Sequence, residues 1–439
     1  MSASREAPGR QQERLAAYLE RLAQAAGHAD RAEPCKAYCA GLMLPGERKS
    51  VEPMAARVYP HDVQRKHQSL HHFVADAEWD DGRMLATALG TVLPALLRRG
   101  PMVAWIVDET GMVKKGRHSV GVARQYCGEV GKQENCRVAV SLSLATEQAS
   151  MPAAFRLYLP RDWADDQERR RKAGVPEGVR FQTKPEIALD QIRAARASGL
   201  PQGIVLGDAA YGTDTHFRRE LETMEMPYVL GVLSSLTVWP PGQKPPAPAR
   251  WQGTGRPPTR PRRSPTRWPL SLKELAQALM PEDWTAVAWR QGTRHRLRSR
   301  FAALRIRPAQ HDGRDKNPFA EQWLLIEWPR AESEPTKYWL SNLPAGTGLK
   351  ELVHRAKHRW IIERDYEELK QELGLGHYEG RNWRGFHHHA TLCIAAYGFL
   401  VAERSRFSPS GEKPALWLRE PRVPASFRPR GAPPPPRTA

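Results

Sequence analysis

The chain has 439 residues, with 67 Lys and Arg against 48 Asp and Glu, a formal net charge of +19 and a sequence pI near 10.0. That length suffices for a large core spread over two or three structural units, and the charge favours a polyanionic partner, because basic side chains that neutralise phosphates release condensed counterions. Five scattered cysteines exclude a disulfide framework and point to a reducing compartment. The polar start Met1-Ser2-Ala3-Ser4-Arg5 is no secretory signal, and no apolar run is long enough to span a bilayer.

Residues 1–100 read as a helical N-terminal unit. Leu15, Leu19 and Leu22 recur at helical spacing, and Leu70–Ala77 and Met84–Arg98 repeat the pattern. Such a unit binds DNA ends or braces the next domain, and no helix-turn-helix signature decides between the two. Residues 101–235 change to strand patterns. An apolar run from Met102 to Val107 closes on Asp108, a Gly/Lys turn follows over Gly111–Gly116, and then come Ser119–Tyr126 and Val138–Leu144. These three are expected to form an antiparallel meander, followed by a polar loop.

A helix over Pro185–Ala197 is begun by Pro and ended at Gly199. A strand over Gly203–Gly207 closes on Asp208, then a helix covers Asp214–Met224 and a strand Tyr228–Leu233. Residues 236–345 combine a Pro/Arg-rich linker with a strand-rich insertion, its strands expected at Thr285–Arg290, Phe301–Arg307, Trp323–Trp328 and Lys337–Leu340. Residues 346–403 supply two further helices, and 404–439 a basic, Pro-rich, disordered tail. Residues 240–269 carry one Lys and six Arg with no acid, and the tail carries eight Lys/Arg against two Glu. Most of the excess charge therefore lies where it supplies nonspecific affinity.

The stretch from Arg359 to Lys370 holds the most pointed signal. At helical spacing Arg359, Glu363 and Lys370 share one stripe, while Ile362, Tyr366, Leu369 and Leu373 form an apolar stripe about a quarter-turn away. A Glu between two cations is ordinarily a solvated face held by intrahelical ion pairs. Asp108 and Asp208, each at the end of a buried strand, raise its standing.

The order strand, strand, strand, helix, strand, helix, strand, with an Asp in the first strand, an Asp at the fourth and a Glu on a late helix, resembles the RNase H-like core of the DDE recombinases. The resemblance covers about residues 101–400. It is most specific at Arg359, Glu363 and Lys370, which match the Tyr-x2-Arg-x3-Glu-x6-Lys signature of bacterial insertion-sequence transposases. Ala356 stands where that signature has Tyr. Asp108-Glu109-Thr110-Gly111 and Gly207-Asp208-Ala209-Ala210-Tyr211-Gly212 look like the two remaining motifs.

The resemblance implies an α/β fold with an RNase H-like mixed sheet, preceded by the helical unit and interrupted by the strand-rich insertion. It also implies a cytoplasmic, DNA-associated bacterial transposase that cuts at the ends of a mobile element and joins them to target DNA as a homodimer. Two Mg²⁺ ions, for which Mn²⁺ substitutes, would align the nucleophile opposite the leaving oxygen. Asp108 would bridge both ions, with Asp208 and Glu363 each holding one. Arg359, Lys370, Lys114, Lys115, His377 and Arg381 are the residues expected at the DNA backbone.

Three rivals remain: a structure-selective endonuclease of the same fold, a silent DNA-binding relative, and a glycosidase using paired carboxylates, which the basic balance fits poorly. Lesser signals carry less. Consecutive helix residues diverge by about 100°, so His387-His388-His389 cannot converge on one ion. Cys35 and Cys39 lack a second ligand pair for zinc, Gly128–Lys132 lacks the Walker spacing, and Glu367 and Glu368 miss the intervals to Arg359 and Lys370.

Overall fold

The computed structural model describes residues 8–243, 250–256, 268–292, 295–309 and 319–406. Much of the basic Pro-rich linker and almost all of the tail lie outside the described residues. The chain begins with α1 (Pro8–Ala25), α2 (Ala29–Met43), α3 (Val51–Val58), α4 (Val63–Ala75) and α5 (Asp81–Leu97). Leu15, Leu19 and Leu22 of α1 are buried, as their spacing requires. Next come β1 (Ala104–Val113), β2 (Ala123–Cys127), β3 (Lys132–Ala145) and β4 (Ser150–Leu157), then the short α6 (Arg161–Ala164) and α7 (Gln167–Lys172). The segment continues through α8 (Lys184–Ala197), β5 (Ile204–Gly207), α9 (Ala209–Gly212), α10 (Thr215–Thr223) and β6 (Tyr228–Val232).

Between β6 and the last helices lie β7 (Thr237–Trp239), β8 (Leu270–Ser271), α11 (Leu272–Gln277), β9 (Thr285–Gln291), β10 (Arg296–Pro308), β11 (Gln322–Trp328) and β12 (Lys337–Ser341). The chain closes with α12 (Leu349–His358), α13 (Trp360–Gln371) and α14 (Trp383–Arg404).

In the sheet, β3 runs antiparallel to β1, β4 antiparallel to β3, β5 parallel to β1 and β6 parallel to β5. The resulting order β4-β3-β1-β5-β6 is the RNase H-like arrangement, reached by a different assignment of strands than the meander expected from sequence. Two corrections follow. The segment 119–126 is not the second core strand: only its end forms β2, a short arm paired with residues 132–136 of β3. The expected polar loop after residue 144 contains the third core strand, β4. Pro152 disguises it, since Pro is tolerated in sheets mainly on edges and at bulges, and the β3–β4 register does shift between Leu142 and Ser143, where Ser143 faces Pro152.

The insertion does not stand apart from the core sheet. β12 pairs antiparallel with β6, β11 with β12 and β10 with β11, so the described strands form one continuous sheet. The N-terminal helices likewise share one buried core with the sheet and α14. α14 is buried along nearly its whole length, and the Tyr18 hydroxyl of α1 donates to its Ala395 carbonyl at 2.7 Å. Among the described residues no helix is long and apolar enough to cross a membrane.

Candidate active site

Asp108 lies within β1, flanked by antiparallel β3, where Ser141 stands opposite it, and parallel β5, where Ile106 faces Leu206. Continuing that parallel register by two residues brings Asp208 beside Asp108. Asp208 follows the end of β5 and caps α9, its Oδ1 accepting the Ala210 N–H at 2.9 Å. The α9 backbone lies so close to β6 that a Cβ on Gly212 would sit 1.9 Å from the Gly231 carbonyl oxygen. Glycine is obligatory there, and this close approach sets where Asp208 emerges.

α13 brings the third carboxylate. Ile362, Leu369 and Leu373 are fully buried, and burying such a side chain stabilises the fold by about 2 kcal/mol. The Tyr366 hydroxyl hydrogen-bonds with Ser141 Oγ, so α13 is pinned to the residue opposite Asp108. Glu363, one turn earlier, faces outward with its side chain 70% exposed.

Arg359 occupies the junction between α12 and α13 rather than the body of one long helix. Its Nη1 donates to Asp108 Oδ2 at 2.8 Å, and its Nη2 lies 3.8 Å from Glu363 Oε1. One guanidinium therefore spans the first and third carboxylates. Burial pushes the Asp108 carboxyl up to about 6; Arg359 and the Glu109 N–H pull it down, and the charges of Asp208 and Glu109 push it up again. The donor set is three hard carboxylate groups, one of them buried and opposed by a neighbouring acid. Such a set fits a hard divalent cation, which favours carboxylate oxygens and offsets their repulsion.

The remaining candidates fall into two groups. Lys370 Nζ donates to the Gly111 carbonyl at 2.8 Å and to Glu129 at 3.1 Å, three residues along β1 from Asp108. Lys114 Nζ donates to the carbonyls of Gly376 and Tyr378 at 3.1 and 2.9 Å, and its burial lowers its pKa to about 8. His377 Nδ1 accepts the Lys49 N–H at 3.0 Å. These three side chains tie the loop after α13 and the end of β1 to their surroundings. Lys115 and Arg381, in contrast, are exposed.

Other signals resolve into structure. Glu367 is exposed, and Glu368 is taken up by Arg364 and Arg404. His387 bonds to Leu157 N–H and the Trp383 carbonyl, His388 to the Val74 and Trp79 carbonyls, and His389 to Tyr38 and the Gly374 carbonyl. The three rings thus serve three different neighbourhoods. Gly128–Gly131 is the hairpin turn between β2 and β3, and Cys35 and Cys39 are buried in α2.

Ala356 is buried on α12, whose sequence carries no tyrosine. Tyr211 escaped notice as a site residue: it is fully buried, its hydroxyl has no hydrogen-bond partner among the described residues, and burial together with the charges of Glu109, Asp108 and Asp208 raises its pKa. Its place three residues after Asp208, on the same short helix, was the available signal.

The family model described as DDE superfamily endonuclease matches residues 21–296, a span that includes Asp108 and Asp208 but ends before Glu363. The chain is 32% identical over 190 residues to the probable transposase for insertion sequence element IS701 of Microchaete diplosiphon, an alignment covering 43% of this chain and 46% of that protein. It therefore spans less than half the length of this relative. A solved structure of the piggyBac transposase synaptic complex with hairpin DNA superposes with a TM-score of 0.43 at 11% identity, over 86% of this chain and 66% of the other.

Proposed function

Since the chain belongs to the DDE superfamily endonucleases, we propose that it is a cut-and-paste DNA transposase that cleaves at the ends of its own mobile element and transfers them into target DNA. Support comes from one observation above all: Asp108 of β1 and Glu363 of α13 share the single guanidinium of Arg359, and Asp208 at the end of β5 is near enough for its charge to act on both Asp108 and Arg359. The partly matching relative is itself a probable transposase. Members of this family depend on divalent metal, and we assign Mg²⁺, with Mn²⁺ as a substitute, to this chain.

Asp108, Asp208 and Glu363 would hold two ions, which when bound supply stabilisation of the attacking and leaving oxygens of the phosphodiester. The protein's own contribution is positional. The buried β1–β5 pair fixes two carboxylates relative to each other, and α13 carries the third on an exposed turn where substrate can reach it. Arg359 neutralises Asp108, and its partial exposure would let it turn toward a phosphate. Lys370 lies two turns along the same helix from Glu363, while exposed Lys115 and Arg381 are available to the DNA backbone. Two copies acting as a dimer would hold the two ends together.

The test is incubation of the full chain with Mg²⁺ and a supercoiled plasmid carrying the inverted repeats that flank its gene. Excision with joined products supports transposition. Nicking or cleavage without joining would assign the chain to structure-selective nucleases, and binding without cleavage would make it a silent relative.

A further inference from the structure

A second group of ligating side chains lies away from the carboxylate cluster. Glu147 sits in the turn between β3 and β4, and His354 and His358 occupy successive turns of α12, four residues apart and therefore on one face. His354 Nε2 lies 2.8 Å from Glu147 Oε2, His358 Nδ1 lies 3.9 Å from the same oxygen, and the three donor atoms all fall within 4.8 Å of one another. We propose that these three residues form a binding site for one imidazole-preferring divalent transition metal, zinc in the first instance, distinct from the site that would serve catalysis.

Two details beyond proximity point to a ligand. His358 is 3% exposed, and its Nε2 faces the Thr146 carbonyl at 3.0 Å. A carbonyl only accepts, so Nε2 carries the proton and Nδ1 presents its lone pair to the cluster. This is the arrangement by which metal-binding histidines are oriented. Glu147 is likewise oriented: Arg355 Nη1 donates to its Oε1 at 3.0 Å, leaving Oε2 for the cluster.

Ligands around a tetrahedral zinc at about 2.0–2.1 Å stand about 3.3 Å apart, and the observed separations bracket that value. Closure falls to the side chains of His354 and Glu147, which are 43% and 42% exposed, whereas buried His358 is the fixed ligand. Three protein ligands leave a fourth position for water. The Arg355 charge lowers affinity without blocking the site.

The location is separate from Asp108. Ala104 at the start of β1 pairs with Ala145, just before the turn carrying Glu147, and Asp108 lies four residues further along, about 13 Å at strand rise. Bound metal would tether the β3–β4 turn to the last turn of α12, one residue before Arg359.

The experiment is titration of the purified full chain with zinc chloride in millimolar Mg²⁺ by calorimetry, repeated with cobalt(II) to read ligand-field absorption. One zinc per chain is expected, with affinity lowered at least about tenfold in His354→Ala and in Glu147→Gln and unchanged in Asp108→Asn. Both substitutions are at exposed side chains, and melts without zinc check that the fold persists. Undetectable zinc binding, an affinity in either variant equal to that of the unsubstituted chain, or loss of binding in Asp108→Asn would each overturn the proposal. None of these results bears on whether the carboxylate cluster cleaves DNA.

Discussion

Arg359→Met isolates what the central guanidinium does. Its 2.8 Å bond to Asp108 joins a cation 29% exposed to a carboxylate 13% exposed. The gross Coulomb attraction at that distance is about 6 kcal/mol at an effective dielectric of 20, and desolvation with solvent screening reduces a charged hydrogen bond to a net of about 1.5–3 kcal/mol. The Asp108 carboxyl is raised to about 6 in the folded protein, above its unfolded value of about 3.9. Its ionisation therefore opposes folding, and the cost appears as pH rises through that interval. Arg359 relieves that cost only while Asp108 is charged.

At pH 8 without divalent metal the variant should be less stable by about 2 kcal/mol, and at pH 5 by less than about 1 kcal/mol. Urea unfolding of both proteins at the two pH values measures the difference. Millimolar Mg²⁺ at pH 8 should raise the stability of the variant more than that of the unsubstituted chain, because the ion takes over the lost charge compensation. Equal destabilisation at pH 5 and pH 8 would refute the electrostatic reasoning and leave Arg359 a packing residue.

Asp365 is a second buried acid, accepting from Ser150 Oγ at 2.5 Å and the Tyr397 hydroxyl at 2.7 Å, with its carboxyl pushed by burial up to about 6. An amide can accept one of these bonds and donate the other to the hydroxyl oxygen, without a charge, so Asp365→Asn should gain about 2 kcal/mol relative to the unsubstituted chain on going from pH 4.5 to pH 8. Thermal melts that track each other at both pH values would contradict this. Lys114→Met removes the donor to the Gly376 and Tyr378 carbonyls and should cost about 1–3 kcal/mol of stability with little change in DNA affinity. Lys115→Ala should leave the melt unchanged and reduce the salt slope of DNA binding by about 1; filter binding at two salt concentrations separates these cases.

The candidate site was more legible than the sheet around it. Asp108 and Asp208 announced themselves because β1 and β5 are buried on both faces and read as unbroken apolar runs ending in an acid. The α13 stripe was readable because one face is buried and the other wet. β4 was hidden by Pro152 and by a bulge, features that an edge strand absorbs and an interior strand would not. α2 lacks an amphipathic stripe for the opposite reason: Cys35 and the run Ala37–Leu42 are all buried, so no amphipathic period survives, and only the four-residue spacing of Cys35 and Cys39 pointed to a helix there.

The approach of Gly212 to Gly231 and the turn of Arg359 toward Asp108 are tertiary facts with no local signature. The same holds for the insertion: its strands were recognisable one by one, but their continuity with β6 depends on pairing between segments more than a hundred residues apart, as with Leu230 and Leu340.

Glu363 bears most on the account, since it alone of the three carboxylates lies outside the span matched by the family model. The direct measurement is single-turnover cleavage of a labelled element end in Mg²⁺ by Glu363→Gln, with end binding measured on the same preparation. Loss of cleavage by at least about a thousandfold with end binding within a few-fold of the unsubstituted chain is the predicted result. Cleavage at an undiminished rate would show that the three-carboxylate cluster is not the active site.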